Sequence, residues 1–363
     1  MAPGVRSSHL EFTSNEVTGA IGDSITVLPL VVALALVTSI SLPHVLVAFG
    51  VFQIVWGLRY GLPISVEPMK ALAALAIAGA MTYGELALAG LLLGVVLLAI
   101  GVTGTLASVE RWIGEPVIRG VQFAVGLLLL ETGVHLALED VVFAGVGVAI
   151  VATAVVLGYR RSSALVVLIV GLGVALVVAG VPSPRWPGPP PVPPLGQSVS
   201  RAAVDGAFAQ LAMTIGNAAL ATSLLVADLF DETVSPDELA TSMGATNLLA
   251  IPAGGIPMCH GCDGVAGKYT FGARSGGANV ILGGFYLGAA VFASATLLEA
   301  FPLAILGVLL VVVAVTLGSS VRQSEHLPLS VGIGLLALAT NIGLAFVVGI
   351  VVHLAYRRIS SER

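Results

Sequence analysis

Between residues 15 and 180 the chain passes through seven apolar segments separated by short polar loops, near 15–38, 43–58, 66–82, 85–106, 116–137, 140–158 and 162–180. Seven more follow a break, near 203–229, 236–252, 256–267, 277–297, 302–318, 327–340 and 341–357. A helix needs about 20 apolar residues to cross the hydrocarbon core of a bilayer. Hydrophobic residues make up 57% of the 363 and charged residues only 10%, which is more apolar surface than a soluble core of this length can bury. The expectation is therefore an all-α polytopic membrane protein of about fourteen transmembrane segments, with the lipid bilayer as its solvent. The net charge of -5 rests on a few loop and terminal residues and points to no nucleic-acid partner. Two cysteines make no disulfide framework. The opening "MAPGVRSSHLEFTSNE" has no apolar stretch of the kind a cleaved signal peptide carries, so the first membrane helix is expected to direct insertion.

The break itself, "VPSPRWPGPPPVPPLGQ" at 181–197, is too rich in proline for a helix and reads as an extended linker. It divides the chain into a first repeat at 1–180, an extracellular linker at 181–200 and a second repeat at 201–363. With fourteen spans and a cytoplasmic N-terminus, Arg6, Arg59, Arg111, Arg119, Arg160, Arg161, Lys268, Arg274, Arg322, Arg357, Arg358 and Arg363 all fall on the cytoplasmic side. Arg185 and Arg201 fall outside and Lys70 lies within a span, so the bias is strongly positive-inside and both termini are expected in the cytoplasm of a multi-pass cell-membrane protein. Reading 327–355 as one long helix would export Arg357, Arg358 and Arg363, which favours two spans there. Seven spans per half make the second half enter from the opposite side, the geometry of an inverted-topology repeat. Pro68-Met69 opens the third segment and Pro257-Met258 opens the tenth, 189 residues later, so both are expected to be short half-helices.

A half-helix that starts near mid-membrane leaves its first N–H groups without partners, which is tolerated only against protein or a wet cavity. Its N-terminal end carries roughly half a positive charge, and two such ends facing each other favour an anion. This gives a purpose to "GGIPMCHGCDGVAGKYTFGARSG" (254–276), and the expected substrate contacts are Met69, Lys70 and Ala71 on the third segment with Met258, Cys259, His260 and Gly261 on the tenth. Lys70 costs about 3 kcal/mol at the bilayer centre unless paired or hydrated. Two readings of it stand side by side: positive charge for an anion site, or a salt bridge to Glu67 one turn away. In the eighth segment Gln210, Thr214 and Asn217 are spaced i, i+4, i+7 and share one helical face. They serve either substrate contact or hydrogen bonds between helices. Asp23, Glu67, Asp263 and His260 are the groups available to carry a coupling proton. Cys259 and Cys262 have the C-x-x-C spacing of a redox or zinc half-site, but no second cysteine pair exists, so neither a metal nor any other cofactor is expected. A membrane-embedded redox protein built on those cysteines, a nucleobase permease and an anion channel remain as alternatives.

"NEVTGAIGDSITVLPLVVAL", "PISVEPMKALAALAI" and above all "DLFDETVSPDELATSMGATNLLAIPAGGIPMCHGCDGVAGKYTFGARSG" resemble the molybdate transporter family, a branch related to the sulfate permeases. The resemblance implies a core domain of spans 1–4 and 8–11 and a gate domain of spans 5–7 and 12–14. It also implies an oxyanion, molybdate or sulfate, held between the third and tenth half-helices, ion-coupled uptake, and a homodimer formed through the gate domain. Two features depart from the family. "QLAMTIGN" lacks the proline usual before the asparagine of the eighth span, and Cys262-Asp263 stands where small residues are common. A carboxylate beside an anion site repels the anion unless it is paired or protonated, so Asp263 is expected to face Lys268 or to carry a proton. A cytoplasmic regulatory domain of the wider sulfate-permease kind is not expected after the last segment.

Overall fold

A computed structural model describes residues 10–361. Arg6 and Arg363 of the positive-inside reading lie outside the described residues. Each of the fourteen apolar segments holds a helix. In chain order the elements of the first half are α1 Ser14–Val37, α2 Leu42–Tyr60, β1 Val66–Pro68, α3 Lys70–Ile77, α4 Tyr83–Thr103, α5 Leu106–Ile113, α6 Glu115–Glu139, α7 Val141–Val156 and α8 Ser163–Ala179. Those of the second half are α9 Arg201–Met213, a π-helical stretch Thr214–Ala221, α10 Thr222–Phe230, α11 Pro236–Ala250, β2 Met258–His260, α12 Cys262–Thr270, α13 Gly277–Phe292, α14 Ala295–Glu299, α15 Leu303–Ser319, α16 Leu327–Ala339 and α17 Ile342–Ser361. Among the described residues six helices are long and apolar enough to cross a membrane. Bent α1 makes a seventh, turning by 43° where Pro29 cannot bond back to the preceding turn.

The expected all-α chain needs amending at the third and tenth segments. The helices there cover only 70–77 and 262–270, and each follows a three-residue strand, so that β1 and β2 form a two-stranded antiparallel sheet. Prolines inside short runs explain why: neither Pro68 nor Pro257 has an N–H to donate to a helix. The register pairs Val66 with His260, Glu67 with Cys259 and Pro68 with Met258. Shifting by the 189 residues that carry Pro68-Met69 onto Pro257-Met258 turns the Pro68–Met258 pair into Pro257–Met69. That pair is also made, Met69 N–H donating to the Pro257 carbonyl at 2.9 Å. The strand crossing is thus two-fold in sequence.

The two short helices also end alike. α3 stops at Gly79, φ 72°, with Ala80 N–H donating to Leu75 C=O at 2.9 Å; α12 stops at Gly272, φ 107°, with Ala273 N–H donating to Lys268 C=O at 2.9 Å. Left-handed glycines of this kind close helices through a six-to-one hydrogen bond. Packing follows the same symmetry: α2 lies on α13 as α11 lies on α4, α1 on α12 as α9 on α3, and α6 on α16 as α15 on α7. Residues 181–194 carry no helix, and they are tied down by Arg185 N–H to the Val291 carbonyl and by the His44 ring to the Gly188 carbonyl.

Candidate functional site

The sheet crossing brings the first turns of α3 and α12 together. Lys70, the first residue of α3, has its ammonium 2.9 Å from Glu67 Oε2 on β1 and 2.7 Å from Asp263 Oδ2 in the first turn of α12. The other Glu67 oxygen accepts the Gly264 N–H of α12 at 2.7 Å, so a carboxylate sits where the helix dipole favours one. A Cβ at Gly261 or Gly264 would collide with that carboxylate, which is why both positions need glycine. At the start of α3 the equivalent role falls to a neutral group: Ala71 N–H donates to Gln210 Oε1 at 2.9 Å, and Gln210 Nε2 donates to Thr214 Oγ1 at 3.0 Å. Glu67, Lys70, Gln210, Met213, Asn217, Ala218, Cys259, His260 and Gly261 line a cavity of about 20 Å³. That is room for about one water molecule.

Seven of the residues expected from sequence therefore border one cavity: Glu67, Lys70, Gln210, Asn217, Cys259, His260 and Gly261. Thr214 and Ala71 stand behind Gln210. Met69 and Met258 use their N–H groups on the Pro257 carbonyl and on Asn247 Oδ1, so neither N–H is open to a ligand here. The π-helical stretch begins at Thr214 and widens the turn, which spoils the i, i+4, i+7 alignment while leaving Gln210 and Asn217 on the cavity wall. A widened turn of this kind is frequent at functional sites. The His260 ring is fully engaged: Nδ1 faces the Ser65 carbonyl at 2.9 Å and must donate, which leaves Nε2 to accept from the Ser242 hydroxyl at 2.7 Å. Cys259 is buried and Cys262 half-buried, and both are free.

Asp263 does not face Lys268. That lysine lies deeper, in the last turn of α12, where its ammonium meets Asp23 Oδ2 at 3.1 Å, Gln53 Oε1 at 3.2 Å and Asn279 Oδ1 at 2.6 Å. Asp23 also accepts from Gln53 Nε2 and from the Ser65 hydroxyl. The reason is register: Lys268 is five residues along α12 from Asp263, on another side of the helix, and α1 packs against that side. Arg274 is likewise remote from the cavity, stacked 3.7 Å over the Tyr269 ring and donating to the Tyr269 and Ala273 carbonyls.

Sequence reasoning overlooked Gln53, Asn247 and Asn279. Asn247 clamps β2 by accepting the Met258 N–H and donating to the Met258 carbonyl, each at 2.8 Å. Each is a lone amide in an apolar run, the same signal that picked out Gln210 and Asn217. Glu16 was also missed; its two oxygens accept the N–H groups of Arg274, Ser275 and Ala278 at the start of α13.

The family described as molybdate transporter of MFS superfamily matches residues 15–129 and 202–317, which is most of both halves. The chain belongs to the molybdate transporter family. This family member is 28% identical to Molybdate transporter 2 of Arabidopsis thaliana over 85% of its own length and 79% of the relative's. It is 26% identical to Molybdate transporter 1 of Chlamydomonas reinhardtii over 95% and 92%. Its fold is shared with the transmembrane domain of a cyanobacterium bicarbonate transporter BicA, at TM-score 0.65 and 16% identity over 93% of this chain and 96% of that one. It is shared as well with the murine Solute Carrier 26 family member A9 anion transporter in the inward-facing state, at TM-score 0.70 and 13% identity over 99% and 70%. The protein is a multi-pass membrane transporter rather than an enzyme, and its fold class is that of anion transporters.

Proposed function

We propose that this transporter imports a tetrahedral oxyanion, molybdate or sulfate, across the cell membrane by alternating access and that a proton accompanies it. The observation that carries this reading is the meeting of two helix starts around Lys70 at a small cavity. The oxyanion sits between the first turns of α3 and α12, with the Lys70 ammonium as counter-charge and Gln210 and Asn217 as side-chain donors. Fourteen membrane segments form two inverted sets of seven, with both termini in the cytoplasm, and the recurrent helix packing supports that arrangement. α1–α4 with α9–α13 form the core domain, and α6–α8 with α15–α17 form the gate domain against which it moves.

Bringing a dianion into a negative-inside cell costs about 2.3 kcal/mol per charge per 100 mV, and a co-transported proton offsets part of that. Glu67 is the carboxylate best placed to carry it. Asp23 is saturated by Lys268, Gln53 and Ser65, and both His260 nitrogens are engaged. Glu67 borders the cavity and touches Lys70, so protonating it frees positive charge for the substrate.

The test is uptake of labelled sulfate into proteoliposomes, inside-negative and with an inward proton gradient, titrated with unlabelled molybdate and tungstate. Saturable uptake blocked by these anions is expected; flux of uracil with none of any oxyanion would overturn the reading. In Glu67→Gln, uptake down an oxyanion gradient should persist while the proton gradient no longer drives accumulation.

A further inference from the structure

We propose that Asp263 is a tethered competitor of the substrate, whose carboxylate holds the Lys70 ammonium until an anion of higher charge displaces it. The inference rests on the reading of this cavity as an oxyanion site and names what sets the affinity threshold an anion must clear there.

Four observations converge on Asp263. First, it makes the shorter of the two Lys70 ion pairs, 2.7 Å against 2.9 Å for Glu67. Second, the two carboxylates differ in freedom. The Glu67 side chain is 1% exposed, anchored by the Gly264 N–H and walled by Gly261 and Gly264, whereas the Asp263 side chain is 49% exposed. Third, the cavity beside Lys70 is about 20 Å³, water-sized, so a tetrahedral oxyanion enters only after a group withdraws. Fourth, Lys70, Glu67 and Asp263 together leave the ionised site one unit negative, a poor host for a dianion.

Departure of Asp263 answers the fourth observation by removing one negative charge, and it bears on the third by freeing the Lys70 side chain, which lines the cavity, to move. It also returns a donor of the ammonium. Glu67 cannot do the same without stripping the Gly264 N–H of its acceptor and leaving a buried donor unpaired, which costs about 1–3 kcal/mol.

The competition sets a threshold that only the more strongly attracted anion clears. An aspartate on the neighbouring helix is present at an effective concentration of about millimolar or more. A free monoanion such as nitrate, bicarbonate or chloride carries the same charge as this carboxylate and gains little by replacing it. A dianion brings twice the charge to Lys70 and to the two helix starts. Asp263 thus weakens the binding of every anion by the same factor, which leaves the tightly held dianion bound while the weaker monoanions fall out of their working range.

The experiment measures molybdate binding calorimetrically at fixed pH, and competition by nitrate, bicarbonate and chloride, on the purified full-length protein and its Asp263→Asn and Asp263→Glu variants. Asp263→Asn should bind molybdate about tenfold tighter, as expected when a state that blocks most molecules is removed. Millimolar nitrate or bicarbonate should then compete with molybdate in this variant, whereas Asp263→Glu should behave as the parent. Unchanged or weaker molybdate binding with monoanions still excluded would overturn the proposal. Asp263→Ser is read in the same way should the asparagine variant not purify as a monodisperse protein. A parent protein that binds no oxyanion at all sinks the transport reading; a parent that binds while Asp263→Asn matches it sinks only the role of Asp263.

Discussion

Two buried lysines stand at opposite ends of the paired half-helices, and they are satisfied to different degrees. An ammonium has three hydrogens to donate. Lys268 places all three, on Asp23, Gln53 and Asn279, and its side chain is 0% exposed, as is that of Asp23. Lys70 has two acceptors among the described residues, Glu67 and Asp263, and borders a cavity. The same residue type on the same pseudo-symmetric pair of helices is a fully satisfied structural tie in one place and an incompletely used charge in the other. Counting donors against acceptors separates them where burial does not.

The largest effect expected from that contrast is at Lys268. Lys268→Met takes the Lys268 counter-charge away from the buried Asp23 carboxylate, and removing one partner of a buried ion pair costs about 3–5 kcal/mol. The variant should lose most of its thermal stability in detergent, read as the melting midpoint of the purified protein. The double variant Lys268→Met with Asp23→Asn should recover a large part of it. A Lys268→Met protein as stable as the parent would break the distinction between the two lysines.

Lys70→Ala comes next, and its effect is on binding. Hydrogen bonds to charged groups are worth about 1.5–3 kcal/mol, so oxyanion affinity should fall by roughly 10- to 100-fold with the folded protein retained. Uptake with unchanged affinity would remove Lys70 from the site.

How far the sequence anticipates this contrast depends on what kind of information each part needs. Helix positions follow from hydropathy, which is local: α7 spans Val141–Val156 where 140–158 is expected, and α8 spans Ser163–Ala179 where 162–180 is expected. The start of α11 follows from Ser235, Pro236 and Glu238, and the Ser235 hydroxyl does accept the Glu238 N–H at 3.1 Å. Strands of three residues are too short for a period-two pattern to emerge, and Pro68-Met69 with Pro257-Met258 betrays only that something unusual begins there. The partner of Asp263 is a different matter. Lys268 is close to it in sequence and Lys70 is 193 residues away, and only the packing of α1 and β1 around α12 decides which one it meets. Gln53 and Asn279 were missed for the same reason, since their role exists only once Lys268 is placed between them.

A smaller effect is expected at Gln210. Its carbonyl oxygen serves the Ala71 N–H and its amide reaches Thr214, so Gln210→Ala removes an acceptor from a helix start and a polar group from the cavity wall. A neutral hydrogen bond nets about 0.5–1.5 kcal/mol, and the apparent affinity for molybdate should drop by roughly two- to tenfold. An effect as large as that of Lys70→Ala would mean that the amide, not the ammonium, is the principal contact.

The smallest effect sharpens the comparison from the other side, because Cys262 shares the helix start of Asp263, and Cys259 lies on β2 just before it, without sharing its charge. Cys259 Sγ lies 3.9 Å from the Pro68 carbonyl and Cys262 Sγ 3.9 Å from Asp263 Oδ1, long contacts that tie down neither thiol. If the site works through charge and helix-start N–H groups, exchanging sulfur for oxygen leaves both intact. The joint variant Cys259→Ser with Cys262→Ser should therefore transport at a rate within about twofold of the parent, since each serine hydroxyl has the acceptor its thiol faced. It should be equally indifferent to thiol reductants. Loss of transport in that variant, together with protection of the parent by zinc or by a reductant, would move the chemistry of this helix start from electrostatics to sulfur and reopen the redox reading of the C-x-x-C spacing.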